Sequence, residues 1–178
     1  TSGLGNFANH NAQVPQTLLA ANGHIHGSPI YWNSPSLGPL IYMQSEFDYL
    51  KAFSFNGSTL VPVPVSQSII RVPDGMPGGF LSVSSNGSAS GTGIVWASTP
   101  LNGDANHQTV QGIVRAYNAE DLTQVLWDTQ QNASRDDIGN FAKFVPPTVA
   151  NGKVYMATFS NQVAVYGLLS GGSDFSLM

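Results

Sequence analysis

Between Gly112 and Asp128 the chain reads G-I-V-R-A-Y-N-A-E-D-L-T-Q-V-L-W-D. Ile113, Arg115 and Tyr117 alternate with Val114 and Ala116, Glu120-Asp121-Leu122-Thr123 supplies a polar turn, and Val125-Leu126-Trp127 opens a second extended run. A period of two broken by a polar turn predicts a β-hairpin. A single hairpin is not stable in water, so the variants of this stretch elsewhere matter. Tyr49-Leu50-Lys51-Ala52-Phe53-Ser54-Phe55 is one, and Gln162-Val163-Ala164-Val165-Tyr166-Gly167-Leu168 is another.

From His24 onward the extended runs come in sets. The first set is Gly27 to Trp32, Pro39 to Met43, Tyr49 to Asn56 and Thr59 to Val63; the second is Gly78 to Val83, Gly93 to Ala97, Gly112 to Asn118 and Gln124 to Asp128. The third is Val145 to Ala150, Lys153 to Ala157 and Gln162 to Leu168, with no fourth run to complete it. The aromatics of the second runs, Tyr42, Trp96 and Tyr155, are 54 and 59 residues apart, a spacing that suits repeated four-stranded units with enlarged loops. Pro62, Pro64, Pro146 and Pro147 donate no ladder bond and fit strand starts or outer edges. Residues 1–23 are turn-rich and read as an irregular segment or the end of a preceding unit, with Gln16 to Ala20 as a lone strand. Residues 170–178 open on Ser170-Gly171-Gly172-Ser173 and read as a linker-like tail.

Composition narrows the function. Only 9% of the 178 residues are charged and 19 are Gly, a balance that favours short strands joined by turns over helices. Six Lys and Arg against a net charge of −4 leave no basic surface for a phosphate backbone, so nucleic acid is not expected as a partner. No run approaches the roughly 20 apolar residues of a membrane-spanning helix, and no Cys is present to form a disulfide or thiolate metal site. Low charge, abundant Asn, Ser and Gly and the lack of thiols predict an exported protein, whether periplasmic, cell-surface or extracellular. The Asn-X-Ser triplets at Asn56, Asn86 and Asn132 read as polar turns.

These runs resemble the quinoprotein-type (PQQ-repeat-like) β-propeller repeat. Gly27-Ser28-Pro29 and Pro146-Pro147-Thr148-Val149-Ala150-Asn151-Gly152 are similar to its innermost strand, and Lys153-Val154-Tyr155 to its second. Arg115 to Thr123 is similar to the third strand with its acidic turn, and Val125-Leu126-Trp127 to the outer strand. The resemblance spans residues 24–169. Gln124 stands where the turn glycine of the repeat belongs, and the first set lacks both the acidic turn and the terminal Trp. The resemblance implies an all-β chain of about three four-stranded antiparallel blades, the last lacking its outer strand. It also implies that the rest of a larger propeller, or another protein chain, meets the open strand edges.

In such an array the loops entering the first strands and those between second and third strands open on one face, around the channel mouth. That face is expected to hold His24, His26, Glu46, Asp48, Arg71, Asp74, Asp104, Asn106, His107, Arg135, Asp136, Asp137 and Asn140. The candidate ligand-binding residues are His24, His26, Asp74, Asp104, Asn106, His107, Arg135, Asp136 and Asp137; carboxylate and amide oxygens suit a sugar or a hard cation, and they also suit ordinary solvated turns. In His24-Ile25-His26 both imidazoles fall on one side of an extended strand, as metal ligands or as hydrogen-bonded structural histidines, with no third ligand at a defined spacing. Arg135-Asp136-Asp137 reads either as a carboxylate base beside a cation or as a turn held by a surface ion pair.

The expected function is a non-catalytic, exported binding or interaction module, docking a partner or a carbohydrate at the channel mouth without a cofactor. One alternative is a fragment of a PQQ- and Ca²⁺-dependent alcohol or sugar dehydrogenase, and a second is a pure assembly scaffold. No Gly-X-Ser-X-Gly or His-Glu-X-X-His motif supports hydrolase chemistry.

Overall fold

The alternating runs form three four-stranded antiparallel sheets in the computed structural model, which describes residues 14–168 and 175–177. The first sheet is β1 (Ile30–Ser34), β2 (Gly38–Met43), β3 (Tyr49–Ser54) and β4 (Ser66–Arg71). The second is β5 (Phe80–Ser84), β6 (Ile94–Pro100), β7 (Gly112–Asn118) and β8 (Val125–Asp128). The third is β9 (Thr148–Ala150), β10 (Lys153–Ala157), β11 (Val163–Leu168) and β12 (Phe175–Leu177). In each sheet the spatial order follows the chain order, so every strand pairs with its sequence neighbour. A single helical turn, α1 (Ala133–Asp136), follows β8.

Three expectations need correction. The third sheet does not lack its outer strand: β12 pairs with β11 through Tyr166↔Leu177, Gly167↔Ser176 and Leu168↔Phe175. The tail at 170–178 is therefore not all linker, and its other residues lie outside the described ones. Three residues are too few to display a period of two, which is why the sequence pattern conceals this strand. In the first sheet the fourth strand is Ser66–Arg71 rather than Thr59 to Val63. Pro62 and Pro64 interrupt the earlier run, and it contributes one isolated bridge, Phe55↔Leu60. Gln16 to Ala20 is not a strand. Instead the Gln16 side chain imitates one, accepting from Leu60 N at 2.7 Å and donating to Leu60 O at 2.8 Å.

Side-chain alternation explains how the sheets stack. Trp32, Leu40, Tyr42, Leu50 and Ala52 of the first sheet pack against Leu81, Val95, Ala97 and Tyr117 of the second. The opposite face of the second sheet, Trp96, Val114, Ala116 and Trp127, packs against Val154, Met156, Ala164 and Tyr166 of the third. β6 reads I-V-W-A-S-T-P and is almost wholly buried because neighbours cover both of its faces. Where the stacked sheets meet, β5 lies against β1 on one side and β9 on the other. Gly93 sits under the Trp32 ring, and a Cβ there would come within 2.3 Å of it.

The three repeated aromatics lie in the second strands of the three sheets, β2, β6 and β10. Tyr42 and Trp96 are covered by the following sheet. Tyr155 is half-buried on the face turned away from the second sheet, beside its register partner Val165.

Candidate functional site

Strand direction decides which loops share an end. β2 runs antiparallel to β1, with Ile30 opposite Tyr42, so residues 44–48 lie beside the segment entering β1. The same relation between Phe80 and Ser98 puts the segment after β6 beside the entry to β5. Backbone hydrogen bonds then stitch this end together: Glu46 N to His24 O at 3.0 Å, Gly79 N to Gln44 O at 3.4 Å, Ala105 N to Met76 O at 3.1 Å, Phe141 N to Val110 O at 2.9 Å and Phe159 N to Asn140 O at 2.9 Å.

Glycines allow these backbones to touch. A Cβ on Gly23 would lie 2.5 Å from Glu46 O, one on Gly27 2.7 Å from Gly79 O, and one on Gly78 2.6 Å from the carbonyl carbon of Ser45. Gly78 also has φ +83°, a conformation that side chains disfavour. The run Asp74 to Gly79 is thus more than a bend, because it forms the floor against which residues 44–46 are pressed. Asp104 holds that floor, its Oδ1 accepting from Met76 N at 3.0 Å and from Asn106 N at 2.8 Å.

Two histidines converge on one buried carboxylate. Glu46 has a side chain only 8% exposed; His26 Nε2 lies 2.8 Å from its Oε1, and His24 Nδ1 lies 3.5 Å from its Oε2. His26 is 25% exposed and His24 86% exposed, so the group runs from the interior to solvent. Asp48, two residues on, belongs to the scaffold: it accepts from Asn22 N, Tyr49 N and Lys51 Nζ, and Lys51 also donates to Ala20 O. These bonds strap residues 20–22 to the first sheet and so position His24 and His26.

An aromatic path leads away from His26. Its ring lies 6.3 Å from that of Phe144, which meets Phe80 edge-on at 5.6 Å, and Phe80 stacks on Phe141 at 6.2 Å. Phe144 is 57% exposed and holds φ 65°, a conformation rare for an aromatic residue. On one side of Phe144 is a groove of about 320 Å³ lined by His26, Ile30, Phe80 and Pro146. On the other is a hollow of about 510 Å³ lined by Asn106, His107, Gln108, Lys143 and Phe159. Lys143 Nζ donates to Asn106 O at 2.9 Å across this hollow.

The nine candidate residues therefore divide into groups. His24 and His26 meet Glu46, while Asn106 and His107 line the hollow. Asp74 pairs with Arg71 at 2.6 Å on the surface, and Asp104 binds backbone. Arg135 donates to both oxygens of Asp136 at 2.7 Å, and Asp136 is fully buried, so this is an internal rather than a surface ion pair. Asp137 accepts from Gln111 at 3.2 Å and from Gly139 N at 3.0 Å. Glu46 was legible as a residue of this end, but its partnership with the histidines was not, because 20 residues separate it from His26. Phe144 and Phe159 carried no motif at all.

A calcium-dependent quinone site would require oxygen donors converging on one point. Asp74, Asp104, Asp136 and Asp137 are each engaged separately, and two of the three side chains in the His24–His26–Glu46 group offer nitrogen. These residues do not fit Ca²⁺. No family model, curated protein or solved structure matches the chain.

Proposed function

We propose that the chain is a portion of a β-propeller acting as an exported binding module, with its ligand docking where the first strands converge. The observation that carries this reading is the contact of β5 with both β1 and β9, together with the meander order of each sheet. A propeller has that arrangement, with first strands nearest the axis and later strands fanning outward.

The ligand class follows from the hollow. Phe144 and Phe159 expose 57% and 64% of their surface beside the polar groups of Asn106, His107, Gln108 and Lys143. Exposed aromatic faces next to hydrogen-bonding groups suit a carbohydrate, whose C–H face stacks on the ring while its hydroxyls are paired. Saturation-transfer NMR against a panel of neutral oligosaccharides tests this. Binding is expected for at least one member and is expected to be lost in both Phe144→Ala and Phe159→Ala. No transfer from any member, or transfer that survives both substitutions, removes the carbohydrate reading.

A second reading, assembly with a further sheet or chain, is favoured by the outer face of the third sheet. Tyr155, Val163 and Val165 lie there at positions whose counterparts in the first two sheets are covered. Tyr155→Lys would place a charge on this face. If another sheet of the parent protein packs there, that change lowers the stability of the full-length protein and leaves the 178-residue chain unaffected.

A further inference from the structure

We propose that His24, His26 and Glu46 form a binding site for a divalent transition metal of the Zn²⁺ type. The proposal stands on the local geometry of three side chains and does not rest on the propeller or carbohydrate readings.

The donor atoms already converge. One ligating atom from each of the three residues lies within 4.8 Å of the other two. Ligands of a tetrahedral ion with bonds of about 2.0–2.1 Å are spaced roughly 3.4 Å apart. His24 Nδ1 lies 3.5 Å from Glu46 Oε2 and His26 Nε2 lies 2.8 Å from Oε1, so each nitrogen sits on the scale of that spacing from a carboxylate oxygen, the second short of it by about half an ångström. His24 is exposed enough to turn onto an ion without disturbing any core residue.

The donor set chooses the metal. Two imidazole nitrogens and one carboxylate oxygen suit Zn²⁺, Co²⁺, Ni²⁺ or Cu²⁺ and disfavour Ca²⁺ or Mg²⁺, which take oxygen ligands. Three protein ligands leave a coordination position open, as at zinc sites that bind water or substrate. His24 opens the group to solvent, and His26 also lines the groove beside Phe144.

Charge and rigidity supply the reason to bind. The ion-pairing groups set beside the nearly buried Glu46 carboxylate among the described residues are the two imidazoles, which are charged only when protonated. Burying a carboxylate is costly unless it is paired, and a divalent ion held by the three side chains would pair it. Glu46 is held for this role by its backbone bond to His24 O and by the close backbones of Gly23 and Gly78. The carboxylate therefore needs little ordering when the ion arrives, and His24 supplies the movement.

Isothermal titration of the full 178-residue chain with ZnCl₂ in a non-chelating buffer tests the proposal, with Co²⁺ absorption as a second readout. One equivalent is expected to bind, and Co²⁺ is expected to give the intense visible bands of a four- or five-coordinate site. His24→Ala and His26→Ala should each weaken Zn²⁺ at least tenfold, and the double variant should abolish one-equivalent binding. Glu46→Gln should do the same with an unchanged circular dichroism spectrum. His24→Ala keeps the test decisive if the Glu46 variant fails to fold, because His24 lies at the surface. His107→Ala is expected to leave the titration unchanged. Absence of binding, or binding that survives His24→Ala and His26→Ala, overturns the proposal.

Discussion

The Tyr42 hydroxyl donates to the carbonyl of Ala119 at 2.9 Å, joining the first sheet to the turn that follows β7 in the second. Tyr166 does the equivalent between the third sheet and α1, donating to Asp136 O at 2.8 Å. Both phenols are fully buried, so each bond satisfies a carbonyl that water cannot reach. Tyr42→Phe and Tyr166→Phe should each cost about 1–2 kcal/mol, read as a lowered urea midpoint with an unchanged m-value. A loss below a few tenths of a kcal/mol in both would mean that these bonds do not hold the sheets together.

The same phenols predict alkaline behaviour. Burial raises the pKa of Tyr42, with the Glu120 charge adding to it, and burial together with Asp136 and Asp137 raises that of Tyr166. The folded state thus holds these protons more tightly than the unfolded chain, where tyrosine titrates near about 10. Their contribution is complete below that pH and declines as pH rises toward the higher folded values. Absorbance at the phenolate band should show these two buried residues ionising together with unfolding.

Asp48 predicts the acid limb. Burial pushes its carboxyl up, but hydrogen bonds from Lys51, Tyr49 N and Asn22 N, with the Lys51 charge, outweigh this and leave it below the ordinary value. The stability it confers is present above the unfolded value of about 3.9 and is lost as pH falls through the lower folded one. Asp48→Asn should flatten that limb. At neutral pH it should cost about 2–3 kcal/mol, because Lys51, only 13% exposed, loses its partner. An acid denaturation midpoint identical to that of the parent chain would contradict the assignment.

Arg135 and Asp136 form an ion pair whose carboxylate has no exposed surface. Arg135→Met strands a carboxylate with no exposed surface and should cost about 3 kcal/mol. Arg135→Met combined with Asp136→Asn should recover a large part of that loss. Equal stability of the single and double variants would show that the charge pair is not what matters there.

Gly78 tests the floor of the site. Alanine at φ +83° would be strained and would drive its Cβ to 2.8 Å from Glu46 N. Gly78→Ala should lower stability by at least about 2 kcal/mol. Gly87→Ala, at φ +56° with open space around it, should cost about 1 kcal/mol through backbone strain alone. Comparable losses at the two positions would argue against close packing at residues 44–46.

Local alternation determined most of the strands. Gly112 to Asn118 and Lys153 to Ala157 are found with the expected bounds, because alternating runs bounded by turn residues favour half-buried strands. The Tyr42, Trp96 and Tyr155 spacing likewise located the second strand of every sheet. Ser66–Arg71 and Phe175–Leu177 were hidden: one exposes Ile69 at 71% and alternates weakly, and the other is too short to alternate.

The gathering of loops at one end was also legible, since antiparallel strands in sequence order place alternate turns together. Which of those residues work together was not. Neither His26 with Glu46 nor Phe144 with Phe80 is a relation of spacing; the first arises where glycines at 23, 27 and 78 let distant backbones approach to contact. The sequence alone determined most of the strands and the end of the sheets where polar groups collect, because those depend on neighbours two residues apart. Tertiary structure decided which carboxylates are consumed by Arg71, Lys51 and Arg135 and which one waits beside two imidazoles, because burial and pairing are set by chains that meet only after folding.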